Sequence, residues 1–166
     1  NFPDFRAFER SYQLMAQVSG RSGRKQKQGK VVIQTQQPDH WVIADVVKND
    51  YNSFFNRDLE ERRKFAYPPH SRIIEITLKH RDKDLLDDAA GVFASILIKK
   101  LGKRVYGPHI PIVSRIKNQY LKLFLIKIER EESSSAAKKL IKEGITQFFN
   151  EKIYQRVLLH IDVDPM

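Results

Sequence analysis

The spacing of apolar residues predicts helices and one strand in the first third of the chain. Over residues 4–18 apolar positions recur every three or four residues, which is typical of a helix with one buried face. The β-branched run at residues 31–35 predicts a short buried strand. Pro38 interrupts the pattern. Asp39 is a candidate N-cap for helical spacing that starts near Trp41 and continues, in one or two pieces, to Phe65.

A change of pattern at Tyr67-Pro68-Pro69 predicts a domain boundary. A residue that precedes proline disfavours helical backbone, and two successive prolines stiffen the chain. We therefore expect part of one domain over residues 1–66 and a second domain over residues 67–166.

The second part alternates strand and helix patterns in a regular order. Strand spacing covers residues 73–79, and helical spacing covers 84–101 and ends at Gly102. A strand interrupted by prolines follows in two pieces, 105–108 and 110–116, and a stronger strand covers 120–128. A helix then runs from the Ser/Glu-rich segment 131–135 to about residue 150, before a last strand at 157–163. The order β-α-β-β-α-β predicts an α+β domain of the ferredoxin-like type.

Charge and composition narrow the classes of function. The net charge is +10, with 12 Lys and Arg against 8 Asp and Glu in residues 1–66, and 18 against 12 in residues 67–166. A basic chain of this size favours contact with nucleic acid, although solvated lysine faces are the alternative. No apolar run is long enough to cross a bilayer, so we expect no membrane contact. The absence of cysteine excludes disulfides and thiolate zinc sites within these residues, and a chain that begins at Asn1 is expected to be a piece of a longer protein.

The strongest chemical motif is Gln17-Val18-Ser19-Gly20-Arg21-Ser22-Gly23-Arg24, which has the form Q-x-x-G-R-x-G-R. Glycines allow a tight turn or a close approach to a ligand, and arginines supply fixed charge and paired donors suited to a transferring phosphoryl group. A basic turn held by a nearby carboxylate is the alternative. The motif is similar to motif VI of superfamily 2 helicases. The chain has no G-x-x-x-x-G-K-[ST] phosphate loop, so this resemblance implies only part of an ATPase.

Further segments extend this similarity along the whole chain. In order they are Asp4-Phe5-Arg6-Ala7, Glu9-Arg10, Gly29-Lys30-Val31-Val32-Ile33-Gln34-Thr35, Pro38-Asp39-His40, Asp50-Tyr51 with Phe54, Glu60-Glu61-Arg62-Arg63, Tyr67-Pro68-Pro69, Gly107-Pro108 with Pro111, and Asp162-Val163-Asp164-Pro165. This ordered series resembles the C-terminal part of the primosomal protein N′ (PriA) family, bacterial helicases that restart stalled replication forks.

The resemblance implies a fold and a function for each part. Residues 1–66 would form the end of the second RecA-like motor lobe, an α/β fold, and residues 67–166 a domain similar to a ribosomal small-subunit protein. The whole family enzyme is a cytoplasmic 3′-to-5′ DNA helicase that uses ATP and Mg²⁺, and its zinc-binding cysteines lie upstream of this segment. In that enzyme Arg21 and Arg24 would be catalytic and, with Gln17 and Gly20, would contact the nucleotide. This piece alone is expected to be inactive.

The resemblance also implies partners: branched and single-stranded DNA, single-stranded-DNA-binding protein and other primosome proteins. Candidate DNA contacts surround the predicted hairpin of the small domain and are Arg115, Lys117, Tyr120, Lys122 and Lys127. The family commonly has Tyr-Arg where this chain has Tyr120-Leu121, and Lys122 is the candidate substitute.

The alternative for the small domain is a protein-interaction module. In that case Lys138, Lys139 and Lys142 on the second helix would receive an acidic tail, although an ordinary solvated helix explains them too. The five histidines show no metal spacing, so no metal site is expected here.

Overall fold

The computed structural model describes residues 4–22 and 29–165 and divides the chain into two compact units, with the division between Phe65 and Ala66. The division falls beside the Tyr67-Pro68-Pro69 segment. No helix within the described ranges is long and apolar enough to cross a membrane.

The first unit consists of three helices: α1 (Ala7–Arg21), α2 (Trp41–Lys48) and α3 (Tyr51–Lys64). Their apolar faces meet around Tyr12, whose ring stacks on Phe54 at a centroid distance of 4.2 Å. Trp41 stacks on the same Phe54 ring at 5.6 Å. The helical spacing predicted for residues 4–18 and for the region from Trp41 to Phe65 is therefore confirmed, with the second region in two pieces.

The break between α2 and α3 follows from local capping. Asn49 adopts a left-handed conformation (φ 55°), which ends α2, and the carboxylate of Asp50 accepts a hydrogen bond from the backbone N–H of Ser53, which starts α3. At the start of α2 the N-cap is His40, whose ring nitrogen accepts from the backbone N–H of Val42 at 3.3 Å. The prediction of Asp39 as N-cap was wrong by one residue.

The predicted strand at residues 31–35 is absent, and Val32 is 88% exposed. A strand is stabilised by hydrogen bonds to a neighbouring strand, and the described part of this unit contains none. The β-branched run therefore forms no strand, and only Ile33 of this run packs against the helical core. The prediction failed because the sequence pattern indicates strand propensity, whereas pairing requires a second strand.

The second unit is an antiparallel sheet covered by two helices. Its elements are β1 (Ser71–His80), α4 (Lys83–Leu101), a 3₁₀ turn (Gly102–Arg104), β2 (Val105–His109), β3 (Arg115–Ile116), β4 (Gln119–Glu129), α5 (Ser134–Phe149), a second 3₁₀ turn (Lys152–Tyr154) and β5 (Leu158–Val163). The strands lie in the order β2-β4-β1-β5, and β3 pairs with β4. The predicted order β-α-β-β-α-β is confirmed, with two interlocked split β-α-β connections.

The core of this unit lies between α4, α5 and one face of the sheet. Alternate residues of β1 and β4, including Ile76 and Phe124, point toward the helices and are fully buried. Phe93 of α4 and Phe148 of α5 meet there with their ring centroids 5.0 Å apart. Gly102 (φ 61°) ends α4 as predicted.

The opposite face of the sheet carries the other alternate residues of β1 and β4. The loop between β2 and β3 lies against this face and leaves an open apolar groove of about 360 Å³. Glu75 and Thr77 lie at its floor beside Leu121 and Leu123. Burial is the main cause that raises the pKa of Glu75, and the neighbouring Asp162 carboxylate adds to it.

Candidate functional site

The end of α1 carries the described part of the glycine–arginine motif. Gln17, Gly20 and Arg21 are all exposed, and Arg21 is the last residue of the helix. The helical spacing predicts a helix over residues 4–18, which would leave Arg21 in a glycine-containing turn after it; the helix instead continues through Gly20 to Arg21. Gly23 and Arg24 lie outside the described residues.

Two serine side chains shape this helix end. The hydroxyl of Ser19 donates to the carbonyl of Met15 at 2.8 Å, and the hydroxyl of Ser22 donates to the carbonyl of Ser19 at 2.8 Å. Ser22 therefore satisfies one of the carbonyls that a helix end leaves unpaired.

Gly29 lies against the backbone of Ser22, at the end of α1. A Cβ atom built on Gly29 would overlap the backbone carbonyl of Ser22, so only glycine fits at this approach. Ser22 and Gly29 therefore lie close together at the end of α1.

Arg21 has no carboxylate at ion-pair distance within the described ranges, and residues 23–28 contain no Asp or Glu. The alternative of a basic turn held by a carboxylate therefore has no support at Arg21. A shallow groove of about 430 Å³ adjoins this helix end and is lined by Ala16, Ser19, Gly20, Val31, Ile33, Val46, Val47 and Asn49.

An ion-pair cluster fixes the other end of α1 to α3. The guanidinium of Arg62 contacts Glu9 of α1 at 2.9 Å and Asp58 of α3 at 2.7 Å, and it lies 5.3 Å from the ring centroid of Phe5. The Arg62 and Asp58 side chains are only 14% and 10% exposed. Burial raises the pKa of Asp58, and the positive charge of Arg62 opposes that rise.

In the second unit, the hairpin of β3 and β4 brings together three of the five predicted DNA contacts. Ile116 pairs with Gln119 across a two-residue turn, Lys117-Asn118, in which both residues have positive φ. Arg115 pairs with Tyr120, and its guanidinium carbon lies 4.9 Å from the ring centroid. Arg115 also donates to the side chain of Asn118, which holds its guanidinium at the tip.

The other two predicted DNA contacts point away from that tip. Lys122 lies on the helix side of β4 and forms an ion pair with Asp87 at 2.5 Å. Lys127 lies on the opposite face and is 7% exposed, with its ammonium 3.6 Å from the ring centroid of Tyr67. Burial lowers the pKa of Lys127. The five residues therefore do not form one surface, and the ammonium of Lys122, the candidate substitute for the arginine missing after Tyr120, is paired with Asp87.

A basic stretch that includes the hairpin was not singled out from the sequence. No Asp or Glu occurs from residue 89 to residue 128, whereas this stretch holds eight Lys and Arg. The stretch covers β2, β3 and nearly all of β4. A charge count in a sliding window, instead of over halves of the chain, would have found it.

The lysines predicted to bind an acidic tail lie on α5. Lys138, Lys139 and Lys142 are exposed, and none takes part in an ion pair within the part of the chain that the structure describes. The described residues also contain no cluster of three His, Cys, Asp or Glu side chains that could hold a metal ion.

The fold and geometry define a helical segment that carries a glycine–arginine motif, followed by a small α+β domain with a basic hairpin. The family model for the "Primosomal protein N C-terminal domain" matches residues 63–166, and the chain belongs to this family.

Related proteins match almost the whole chain. It is 34% identical over 167 residues to the "Replication restart protein PriA" of Bacillus subtilis (strain 168). This alignment covers 99% of the chain and 20% of that protein. It is 35% identical over 164 residues to the protein of the same name from Haemophilus influenzae (98% of this chain, 22% of that protein). The protein of that name from Treponema pallidum is 31% identical over 166 residues (99% and 24%). The chain thus spans about a fifth to a quarter of the length of these relatives.

Proposed function

We propose that this chain is the C-terminal part of an ATP-dependent 3′-to-5′ DNA helicase that restarts stalled replication forks and starts primosome assembly. The observation that carries the proposal is the match of the chain, end to end, with relatives named for replication restart. In this proposal residues 1–66 complete the second RecA-like motor lobe, and residues 67–166 form an accessory domain for DNA and partner proteins.

The end of α1 is the nucleotide-contacting part of this proposal. The exposed Arg21 guanidinium, with no described carboxylate beside it, fits the negative charge of a nucleotide phosphate. Arg24 is three residues further on, and Gly20 leaves the backbone open to close approach. ATP with its Mg²⁺ would supply the phosphoryl group for transfer. Residues outside this chain would hold the ATP and the Mg²⁺. Arg21 and Arg24 stabilise the charge on that group, while Gln17, one turn earlier on the exposed side of α1, hydrogen-bonds close to it.

Exposed apolar residues in the first unit support a place inside a larger lobe. Val32 and Val47 are exposed, and the β-branched segment 31–35 has no neighbouring strand among the described residues. In the proposed lobe, residues 31–35 pair with a strand from the preceding part of the protein, which would cover this apolar surface.

The hairpin tip is the proposed DNA contact of the accessory domain. Lys117 and Arg115 supply phosphate contacts there, and Tyr120 stiffens Arg115 by packing beneath its guanidinium. We leave Lys122 and Lys127 out of this proposed contact because one is ion-paired with Asp87 and the other is buried.

A second candidate for the small domain is a protein-interaction module that binds the acidic tail of single-stranded-DNA-binding protein or another primosome partner. The exposed Lys138, Lys139 and Lys142 on α5 favour it. Fluorescence anisotropy separates the two candidates. A DNA-binding domain gives a binding constant that falls steeply with salt and depends on Arg115 and Lys117, whereas the second candidate gives binding to an acidic peptide that depends on the α5 lysines.

The nucleotide role is tested by DNA-stimulated ATP turnover of the full-length protein. Arg21→Ala and Arg24→Ala are each expected to lower turnover by about 100-fold or more. Arg10→Ala is the matched control, because Arg10 is an exposed arginine of α1, the helix that ends at Arg21, and its ion pair is with Asp4. Turnover near the wild-type rate for Arg24→Ala would rule out the nucleotide role.

A further inference from the structure

An exposed apolar loop lies between β2 and β3. The loop contains Ile110, Pro111, Ile112 and Val113, and Ile112 is 86% exposed. Scattered apolar residues on a surface are ordinary, but Ile110 and Val113 are also more than half exposed. Consecutive exposed apolar side chains of this kind mark a contact surface.

The loop belongs to the apolar face of the hairpin. Ile112 and Val113 line the same groove as Ile116 of β3 and Leu121 of β4. The loop and the hairpin are also joined directly, since the backbone N–H of Leu121 donates to the carbonyl of Ser114 at 3.0 Å. The apolar side chains are thus held together on one side of the hairpin.

The other side and the tip of the hairpin are cationic. Arg115 points to the opposite face from Ile116 and stacks on Tyr120, and Lys117 occupies the tight turn at the tip. Neither Arg115 nor Lys117 forms an ion pair with a carboxylate among the described residues. One projecting element therefore combines an apolar side, a cationic side and a cationic tip.

We propose that the β2–β3 loop is an apolar wedge that packs on the end base pair of a DNA duplex at a branch point. Proteins that distort DNA insert Ile, Leu, Met or Pro against a base step while neighbouring cations hold the phosphates. Ile112 and Pro111 make the base contact, and Lys117 and Arg115 hold the phosphates of the strand that leaves the duplex. The proposal rests on the DNA binding proposed above, and it assigns the choice of a branch over a continuous duplex to this loop.

The cations around the loop favour DNA over an apolar protein surface. An apolar protein partner gains nothing from the charge on Lys117 and Arg115, whereas a DNA branch point offers phosphates and an exposed base-pair face within a few ångströms of each other. If a substitution at Ile112 weakens binding to a protein partner and leaves binding to all DNAs unchanged, the proposal is overturned.

The test compares three DNAs of equal length with the full-length protein: a fork, a continuous duplex and a single strand. Anisotropy at several salt concentrations gives affinities, and 2-aminopurine at the branch reports unstacking. Ile112→Ser is expected to lower the preference for the fork over the duplex by about fivefold or more, to remove the 2-aminopurine signal, and to leave the salt slope unchanged. Ile112→Leu, which keeps the apolar contact, should retain both.

Two controls separate the wedge from the DNA binding on which it rests. Ile98→Ser removes a half-exposed isoleucine from α4, outside the hairpin, and should leave fork preference intact. Lys117→Ser should weaken binding to all three DNAs and reduce the salt slope by about one. If Ile112→Ser leaves fork preference intact, as Ile98→Ser does, while Lys117→Ser weakens DNA binding, the wedge proposal is wrong and the proposed DNA contact stands. If Ile112→Ser and Lys117→Ser both leave DNA binding unchanged, the wedge and the DNA contact are both wrong.

Discussion

The ion-pair cluster of Arg62 makes the sharpest prediction about the stability of the first unit. Arg62→Ala removes the partner of Asp58, whose side chain is only 10% exposed, and leaves a carboxylate in a poorly solvated position. Breaking a buried pair by removing one partner costs about 3–5 kcal/mol. Glu9 is 39% exposed and regains water, so the expected loss of unfolding free energy is about 2–4 kcal/mol.

The assay uses the chain's own fluorescent probe. Trp41 is the single tryptophan and packs on Phe54 in the same unit, so its emission reports the unfolding of this unit by urea. Arg63→Ala is the matched control because Arg63 is the exposed neighbour of Arg62. Asp58→Asn added to Arg62→Ala should restore part of the loss, since a neutral amide costs less to bury than a carboxylate.

The pH dependence gives an independent check of the cause. Burial already raises the pKa of Asp58, and losing the opposing charge of Arg62 raises it further above the value in the unfolded chain. A raised carboxyl pKa favours folding at low pH and is unfavourable at neutral pH, so the penalty of Arg62→Ala should shrink as the pH falls toward about 4. A penalty below about 0.5 kcal/mol, equal to that of Arg63→Ala, would refute the reasoning.

Three further predictions concern the small domain. Gly107 has φ 127°, and a Cβ there would lie 2.7 Å from the carbonyl oxygen of Leu123, so Gly107→Ala should lower unfolding free energy by about 2 kcal/mol or more. Gly91→Ala, in the open middle of α4, should instead raise it by about 0.5–1 kcal/mol, and equal effects in thermal unfolding would contradict both. The pKa of Glu75 is raised by burial and then by Asp162, so its contribution to stability is present at low pH and is lost as the pH rises through that raised pKa. Glu75→Gln should therefore flatten the decline in stability above about pH 4, and an unchanged pH profile would count against this assignment.

The sequence predicted most of the fold because the helical and strand periodicities of the second unit agree with its tertiary packing. Its failures have physical causes. Residues 31–35 have the composition of a strand, but strand formation depends on a partner that the pattern cannot supply. His40 replaced Asp39 as N-cap because a ring nitrogen two residues before an N–H can also accept its hydrogen bond.

The candidate sites were less predictable than the fold. Lys122 and Lys127 are five residues apart on one strand, and an odd separation puts them on opposite faces, so strand geometry alone could have separated them. The ion pair of Lys122 with Asp87 depends on the packing of α4 against the sheet, which spacing does not give. The exposure of Ile112 likewise follows from tertiary structure, because the sequence pattern of a hydrophobic residue after a proline is compatible with a buried position and with an exposed one.

The most direct test of the central claim measures single-turnover ATP hydrolysis and ATP affinity on the same full-length protein carrying Arg24→Ala. If the arginines of this motif act on the phosphoryl group in transfer, the hydrolysis step should slow by about 100-fold or more, while ATP affinity changes far less. The Arg10→Ala protein should hydrolyse ATP at the wild-type rate. A hydrolysis step for Arg24→Ala as fast as that of Arg10→Ala would contradict the account.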